Sequence, residues 1–422
     1  MRFDLLVKGG EVVDPAAGYY GKLDVAVTRG RIAAVDANIP ADSAFRVIDA
    51  TGQYVTPGLI DMHAHVYEDV TYWGVNPDAI GSQTGVTTWV DAGSAGAVTL
   101  GGFRNSVITP STVRVYAFVN ISCIGLVAED YELTNPEYCN VELLQRVVNL
   151  NRDIVVGIKV RAGRSGGAQD LEPLRRARRA ADDLELPLMA HLSTEPPDVE
   201  TVLGFVGPGD ILTHCFSGES MKIVDGRGKL LDGVKRAWEE GLTLDLAHGA
   251  GSFSFDVAEA VVSQGYWPDV ISTDLHQLSI VGPNLMDSLK ESGAGTPSGS
   301  WDAQSVIAQV RGSGEPVFNL LTCIDKMLFL GMSFSDAIKA TTSRPAEIIG
   351  LKGEVGTLAP GACADMATFV MEKGRFELHD TCGNVRHGKQ SVRSILAVVG
   401  GRPLDPIDIP APAAWVQPLG EE

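Results

Sequence analysis

Six histidines stand at or just beyond the ends of short apolar runs: His63 and His65 in GLIDMHAHV, His191 in PLMAHLS, His214 in DILTHCF, His248 in LTLDLAHG and His276 in VISTDLH. Imidazole suits zinc and other divalent first-row metals. A lone histidine in an apolar strand is usually a satisfied core residue. Six gathered at the same end of successive runs is a pattern chance does not give. His63 and His65 are two apart, which on a strand puts both rings on one face, where both can address one ion. Asp274 closes the last run. A carboxylate there can bind a metal and also take a proton from metal-activated water. The plain alternative is an aspartate capping the following turn.

Lys159, in VVGIKVRAG, is the most diagnostic of these residues. A bare ammonium is costly to bury in an apolar strand. Desolvation lowers a lysine pKa and yields the neutral amine that can react with carbon dioxide. The resulting carbamate (N6-carboxylysine) is an anionic, two-oxygen ligand able to bridge two metals, which a protonated lysine cannot be. Pairing of Lys159 with a substrate carboxylate or with Asp91 is the competing reading.

Other polar residues fall near the same rim. Arg161, two beyond Lys159, is a candidate for holding a substrate carboxylate through its guanidinium fork, with an ion pair to a loop acid as the alternative. Gly93-Ser94-Ala95-Gly96 could let backbone amides approach an anion, or could be a simple turn. His248 and His276 are candidates to touch substrate or to orient a ligand, against ordinary packing.

Positioning these residues requires a particular frame. Eight short apolar runs (GLIDMHAHV, GVTTWVDAG, VRVYAFVN, IVVGIKVR, PLMAHLS, DILTHCF, LTLDLAHG and VISTDLH) occupy the middle of the chain. Helix-like segments such as LEPLRRARRAADDLEL and GKLLDGVKRAWEEG lie between them. Apolar strands alternating with helices predict a parallel sheet buried on both faces, and eight units close into a (β/α)₈ TIM barrel whose chemistry sits at the carboxyl ends of the strands. An open doubly wound sheet is disfavoured, because no glycine-rich phosphate turn follows the first run. Both ends of the chain instead alternate apolar and polar residues around Gly-Gly and Arg-Gly turns, as strands do. The expected organisation is residues 1–55 as one part of a small β-sandwich, 56–349 as the barrel, and 350–422 as the rest of the sandwich and a tail.

Composition bounds the partners. A net charge of −19 argues against nucleic acid and anionic membranes, though not against an anionic small substrate at a metal site. Six scattered cysteines without a C-x-x-C pair read as reduced thiols. No run approaches a transmembrane span, and MRFDLLVKGGEVVDP has no stretch of signal-peptide length, so a cytoplasmic protein is expected. The glycine- and serine-rich residues 277–302 read as a lid or binding loop, and RRARRAADD reads as a solvated helix face.

Taken together, PGLIDMHAH, the lysine of GIKVRAG, His191 in MAHLS, His214 in LTHCF, Asp274 in STDLH and the tail TTSRPAEIIGLKGEVGTLAPGACADMATF resemble the amidohydrolase superfamily over nearly the whole chain. The likeness is to its binuclear branch of dihydroorotases, hydantoinases and deacetylases. That resemblance implies two divalent metals, with zinc the expected ion. One would be held by His63, His65, the carbamate of Lys159 and Asp274, the other by the second carbamate oxygen, His191 and His214, with a bridging hydroxide. Asp274 would take its proton and return it to the leaving group.

Within the branch, GVTTWVDAGSAG, KVRAG and LTHCFSG look like a dihydroorotase-like or deacetylase subgroup. That implies hydrolysis of an N-acyl amino acid or O-acyl hydroxy acid, a small substrate bearing a carboxylate. Relatives are often multimeric, so a homo-oligomer is an expectation. Dihydroorotases carry an arginine two residues after the second histidine of H-x-H, where this chain has Tyr67, the position expected to meet substrate. A cyclic-amide hydrolase is therefore the alternative. A mononuclear deaminase ranks lower, because its glutamate is expected at position 194, which is Thr194, with Glu195 one further on. A non-catalytic scaffold ranks last, since all the expected ligands are present.

Overall fold

The computed structural model describes residues 2–277, 279 and 319–410. Strands β1 (Phe3–Asp14), β2 (Tyr19–Thr28), β3 (Arg31–Asp36), β4 (Ala44–Asp49) and β5 (Tyr54–Pro57) come first. β1 pairs antiparallel with β2. It also pairs in parallel with β4 through Phe3–Lys8 and with β5 at Glu11 and Val12. Side chains alternate across β1, so Leu5 and Val7 join Val25 and Val27 on one face while Leu6 joins Ala26, Ile39 and Ala44 on the other.

Seven further strands follow: β6 (Leu59–Ala64), β7 (Val86–Gly96), β8 (Arg114–Asn120), β9 (Val155–Arg161), β10 (Leu188–His191), β11 (Ile211–Thr213) and β12 (Thr243–Asp245). They form one curled sheet in chain order, and every neighbouring pair is parallel. Seven of the eight apolar runs are these strands. The eighth, VISTDLH, lies parallel to both edges, with bridges Ala64 to Leu275 and Asp245 to Val270. Asp274 N and His65 N donate to His63 O and Leu275 O on one side, and Leu246 N and His248 N to Val270 O and Ser272 O on the other. Side-chain bonds add to this pairing. Thr273 donates from N and Oγ1 to the two oxygens of Asp61 at 3.1 and 2.6 Å, and Ser272 Oγ donates to Asp245.

Helices cover the outside of the curled sheet. Glu172–Leu184 buries Leu174, Ala177, Ala181 and Leu184 at helical spacing. Arg175 and Arg179 are exposed, as expected for the RRARRAADD face, whereas the half-buried Arg178 reaches inward to the buried Asp210 as well as to Asp182. The second helix-like segment forms Asp232–Glu239.

The chain then returns to the first sheet with β13 (Met366–His379), β14 (Val385–Val399) and β15 (Arg402–Pro403). β13 pairs antiparallel with β5, Met366 opposite Pro57, so the two ends of the chain share one sheet of order β15-β14-β13-β5-β1-β2-β3. The sequence suggested a small sandwich built from both ends; the hydrogen bonding joins strands of both ends in one network, forked where β4 and β5 both meet β1. The expected lid, residues 277–302, lies outside the described residues apart from Gln277 and Ser279. Among the described residues no helix is long and apolar enough to cross a membrane, and all six cysteines are unpaired.

Candidate metal centre

The parallel sheet delivers its histidines to one place. Ring centroids run from His65 to His63 at 5.9 Å, from His63 to His214 at 5.2 Å, and from His214 to His191 at 4.2 Å. Asp274 Oδ1 lies 3.1 Å from His65 Nε2 and 3.4 Å from His63 Nε2. These three residues each bring a ligand atom within 4.8 Å of the others. Lys159 Nζ lies 3.0 Å from His63 Nε2 and 3.5 Å from Met189 Sδ, with almost no exposure. The six expected ligands therefore meet, although they span residues 63 to 274.

Burial and hydrogen bonding prepare these groups to bind cations. Desolvation, reinforced by the Lys159 and His214 charges for His63, holds His63 and His191 well below the usual imidazole range, and His214 falls to about 4. Neutral imidazoles are the ligating form. The far side of each ring fixes which nitrogen is bare. His63 Nδ1 faces Thr213 Oγ1 at 2.8 Å and Asp245 Oδ2 at 3.2 Å, and Thr213 itself donates to Asp245 at 2.7 Å. The proton therefore sits on Nδ1, and the Nε2 lone pair looks toward Lys159 and Asp274. His214 Nδ1 donates to the Ala247 carbonyl at 2.7 Å, which leaves Nε2 bare, 2.9 Å from His191 Nδ1. Ser94 Oγ holds His65 Nδ1 at 2.9 Å. Such outer partners orient metal ligands and set their basicity.

The carboxylates are set apart by their surroundings. Burial alone would raise the Asp274 carboxyl, but the hydrogen bond from His65 and the neighbouring His214, His65 and His276 imidazoles together hold it below the usual carboxylate range, so Asp274 stays ionised. Burial raises Asp245 to about 6 and Asp61 to about 7. Burial also lowers Lys159 to about 8, so a usable fraction is neutral amine near neutral pH. The donor set thus fits divalent cations: bare imidazole nitrogens, an ionised carboxylate and a desolvated amine, with few other partners for their lone pairs. The backbone is strained where it presents them. His214, Ala247 and Asp274 have φ of 70°, 38° and 51°, a region non-glycine residues adopt at a cost of roughly 1–3 kcal/mol each.

The remaining expected site residues divide. Ser94 reaches the cluster as the partner of His65. The Gly93–Gly96 amides form no anion cradle, since Ser94 N donates to Asp91 at 2.7 Å and Gly96 N to Thr99 Oγ1 at 2.9 Å. Gly93 has another use. At φ 93°, a Cβ there would stand 2.7 Å from Lys159 Cγ, so its hydrogen makes room for the lysine stem. Tyr67 is not brought to the ligands. Its ring stacks on Phe103 at 4.8 Å and its hydroxyl donates to the Thr99 carbonyl. Arg161 is engaged by loop acids: Nε and Nη2 grip Glu132, and Nη1 lies 3.2 Å from Asp130. His276 stacks edge-on to Trp73 at 4.7 Å, and its Nδ1 is buried without a hydrogen-bond partner among the described residues. His248 turns to Gly249 and Lys326.

Asp245, Thr213, Ser272 and Asp61 were not singled out from sequence. The reasoning that selects Lys159, a charged side chain inside an apolar strand, applies equally to Asp245 in LTLDLAHG and to Asp61 in GLIDMHAH.

Residues 54–382 match the amidohydrolase family. A deacetylase of Agrobacterium fabrum is 34% identical over 374 residues, covering 88% of this chain and 84% of the relative. A crystal structure of an adenine deaminase superposes with a TM-score of 0.81 at 31% identity, covering 96% of this chain and 100% of the other. A crystal structure of a dihydroorotase gives 0.80 at 31% identity, covering 97% and 99%. The chain belongs to the amidohydrolase family, and it is a hydrolase of that superfamily acting on C–N bonds.

Proposed function

We propose that this amidohydrolase removes a small acyl group from an N-acyl amino acid or O-acyl hydroxy acid. The reading takes the curled sheet, completed by VISTDLH, as a closed (β/α)₈ barrel over 56–349, with a small sandwich from 1–55 and 350–422. The single observation that carries it is Asp274 Oδ1 standing between His63 Nε2 and His65 Nε2 while Lys159 Nζ reaches the same face of His63. His63, His65, Lys159 as its carbamate, and Asp274 would hold one ion; the carbamate, His191 and His214 would hold the other. Two divalent ions, zinc in the first instance, would supply Lewis acidity there, toward water and the scissile carbonyl.

The chain's own residues do the rest. Asp274, ionised and facing the imidazoles, accepts the proton of the attacking water and returns it to the departing amine or alkoxide. Thr213 and Asp245 keep His63 in one tautomer, and Ser94 orients His65. His276 Nδ1, buried without a partner among the described residues, is the group a polar substrate atom would satisfy. At the rim, the Asp130 edge of Arg161 is where a substrate carboxylate would have to compete, since Glu132 closes the fork.

Two features favour acyl removal over its rivals. Tyr67 replaces the arginine that dihydroorotases use, and its side chain is turned into the core. The adenine deaminase likeness brings deamination forward as a second reading, but Glu195 is exposed, lines a surface recess with Asp198 and Lys222, and does not reach the ligands. The test is a screen of N-acyl amino acids, O-acyl hydroxy acids, cyclic ureides and adenine against protein loaded with zinc in bicarbonate. Release of carboxylic acid from the acyl substrates is expected. Ring opening alone, or ammonia from adenine alone, overturns the reading.

A further inference from the structure

Helix Leu320–Leu330 carries Lys326 into the core, 1% exposed, beside the end of β12. Its Nζ lies 2.5 Å from His248 Nε2 and 5.2 Å from the centre of the Phe253 ring. Phe253 stacks on His248 at 4.6 Å with the planes 15° apart. The other nitrogen, His248 Nδ1, lies 2.8 Å from the Gly249 carbonyl. A carbonyl only accepts, so Nδ1 carries the proton and Nε2 presents a lone pair to the ammonium. Both nitrogens of His248 are thus committed, which removes it from the pool of metal or substrate ligands.

The chain continues to Asp274. Gly249 has φ of 54°, and a Cβ on it would stand 2.8 Å from Asp274 Oδ2. Its amide donates to the Thr273 carbonyl at 2.7 Å, and His248 N donates to Ser272 O at 3.3 Å. The Gly249 backbone is therefore one wall of the carboxylate's seat. We propose that Lys326 is a positioning residue for the acid–base carboxylate: through His248 it fixes the Gly249 backbone against which Asp274 Oδ2 rests. The inference rests on the reading of Asp274 given above. An apolar residue would fill the helix position without the desolvation penalty of an ammonium, so a buried lysine there needs a reason. Burial lowers it to about 8, the mark of that penalty.

The test compares Lys326→Met, Lys326→Gln, His248→Phe and the Lys326→Met/His248→Phe double variant in the metal-loaded enzyme, with Asp274→Asn alongside. Lys326→Met is expected to lower kcat roughly 10- to 100-fold with KM within about twofold and metal content unchanged. Lys326→Gln, which can still donate to His248, should recover most of the loss. The double variant should be no worse than either single change, because the residues act as one unit. Unchanged kcat with a lowered Tm, a raised KM at constant kcat, or additive losses would each overturn the proposal. Should Lys326→Met not fold, Gly249→Ala tests the same wall and is expected to lower kcat alone. Full activity in Asp274→Asn would sink the underlying reading, whereas full activity in Lys326→Met beside an inert Asp274→Asn would sink only the relay.

Discussion

Lys159 Nζ lies 3.0 Å from His63 Nε2, the ring nitrogen that Thr213 and Asp245 leave without a proton. An amine and an imidazole lone pair set this close, in a wall closed to solvent, are two donors aimed at one place. Replacing Lys159 with alanine removes the proposed bridge between the two halves of the histidine cluster. Metal content should fall below the expected two or so per chain, and activity should drop at least about 10³-fold. Elemental analysis and turnover measure both. Two retained ions with activity within tenfold of native would refute the bridging role.

Carbamate formation needs the neutral amine, and burial brings Lys159 down to about 8. Below that pH the ammonium dominates; above it the amine does. At fixed dissolved CO2, protein stripped of metal and bicarbonate should therefore regain activity roughly tenfold faster per pH unit up to about 8, then level off. The sign for folding agrees. Between about 8 and the ordinary lysine value the unfolded chain binds more protons at this site, so its contribution makes the stripped protein more stable as pH rises through that window. A reactivation rate flat between pH 6 and 9 would count against the desolvated amine.

The ligands themselves were legible because a parallel strand buried on both faces leaves its carboxyl end as the natural place for polarity, and His63, His65, His191 and His214 all stand there. What could not be read was how distant residues complete them. Asp245 meets His63 across 182 positions, and Arg161 meets Glu132 only because the loop after β8 folds back over β9. Local pattern carries no such information. The closing run VISTDLH read as a strand by its apolar residues, and its backbone does bond both edges, but that pattern could not tell that Ser272 and Thr273 also bind Asp245 and Asp61. Both ends of the chain read as strands, but alternation alone does not tell which strands pair, such as β13 with β5, where Met366 stands opposite Pro57.

Asp245 is tied to Thr213, Ser272 and His63 at once. Asp245→Asn keeps the volume but brings an amide donor to a site that now only accepts. His63 would lose its fixed tautomer, and metal affinity should weaken roughly 10- to 100-fold, with a smaller effect on kcat once the enzyme is saturated. Chelator competition measures the first and turnover at saturating metal the second. Native affinity in the variant would show that the contact is packing alone.

Gly93→Ala probes the room that β7 leaves for Lys159. The new methyl would meet Lys159 Cγ at 2.7 Å and Cβ at 2.9 Å, on a backbone at φ 93° that alanine rarely adopts. Backbone strain and overpacking together should destabilise the fold by about 1–4 kcal/mol and shift the lysine stem, so activity should fall further than stability explains. Gly101→Ala is the matched control, since nothing lies within 4 Å of its added methyl. Melting temperature and turnover of the two variants, measured side by side, decide the matter. If Gly93→Ala behaves like Gly101→Ala, the lysine does not depend on that opening, and the close approach of β7 to β9 is incidental to the site.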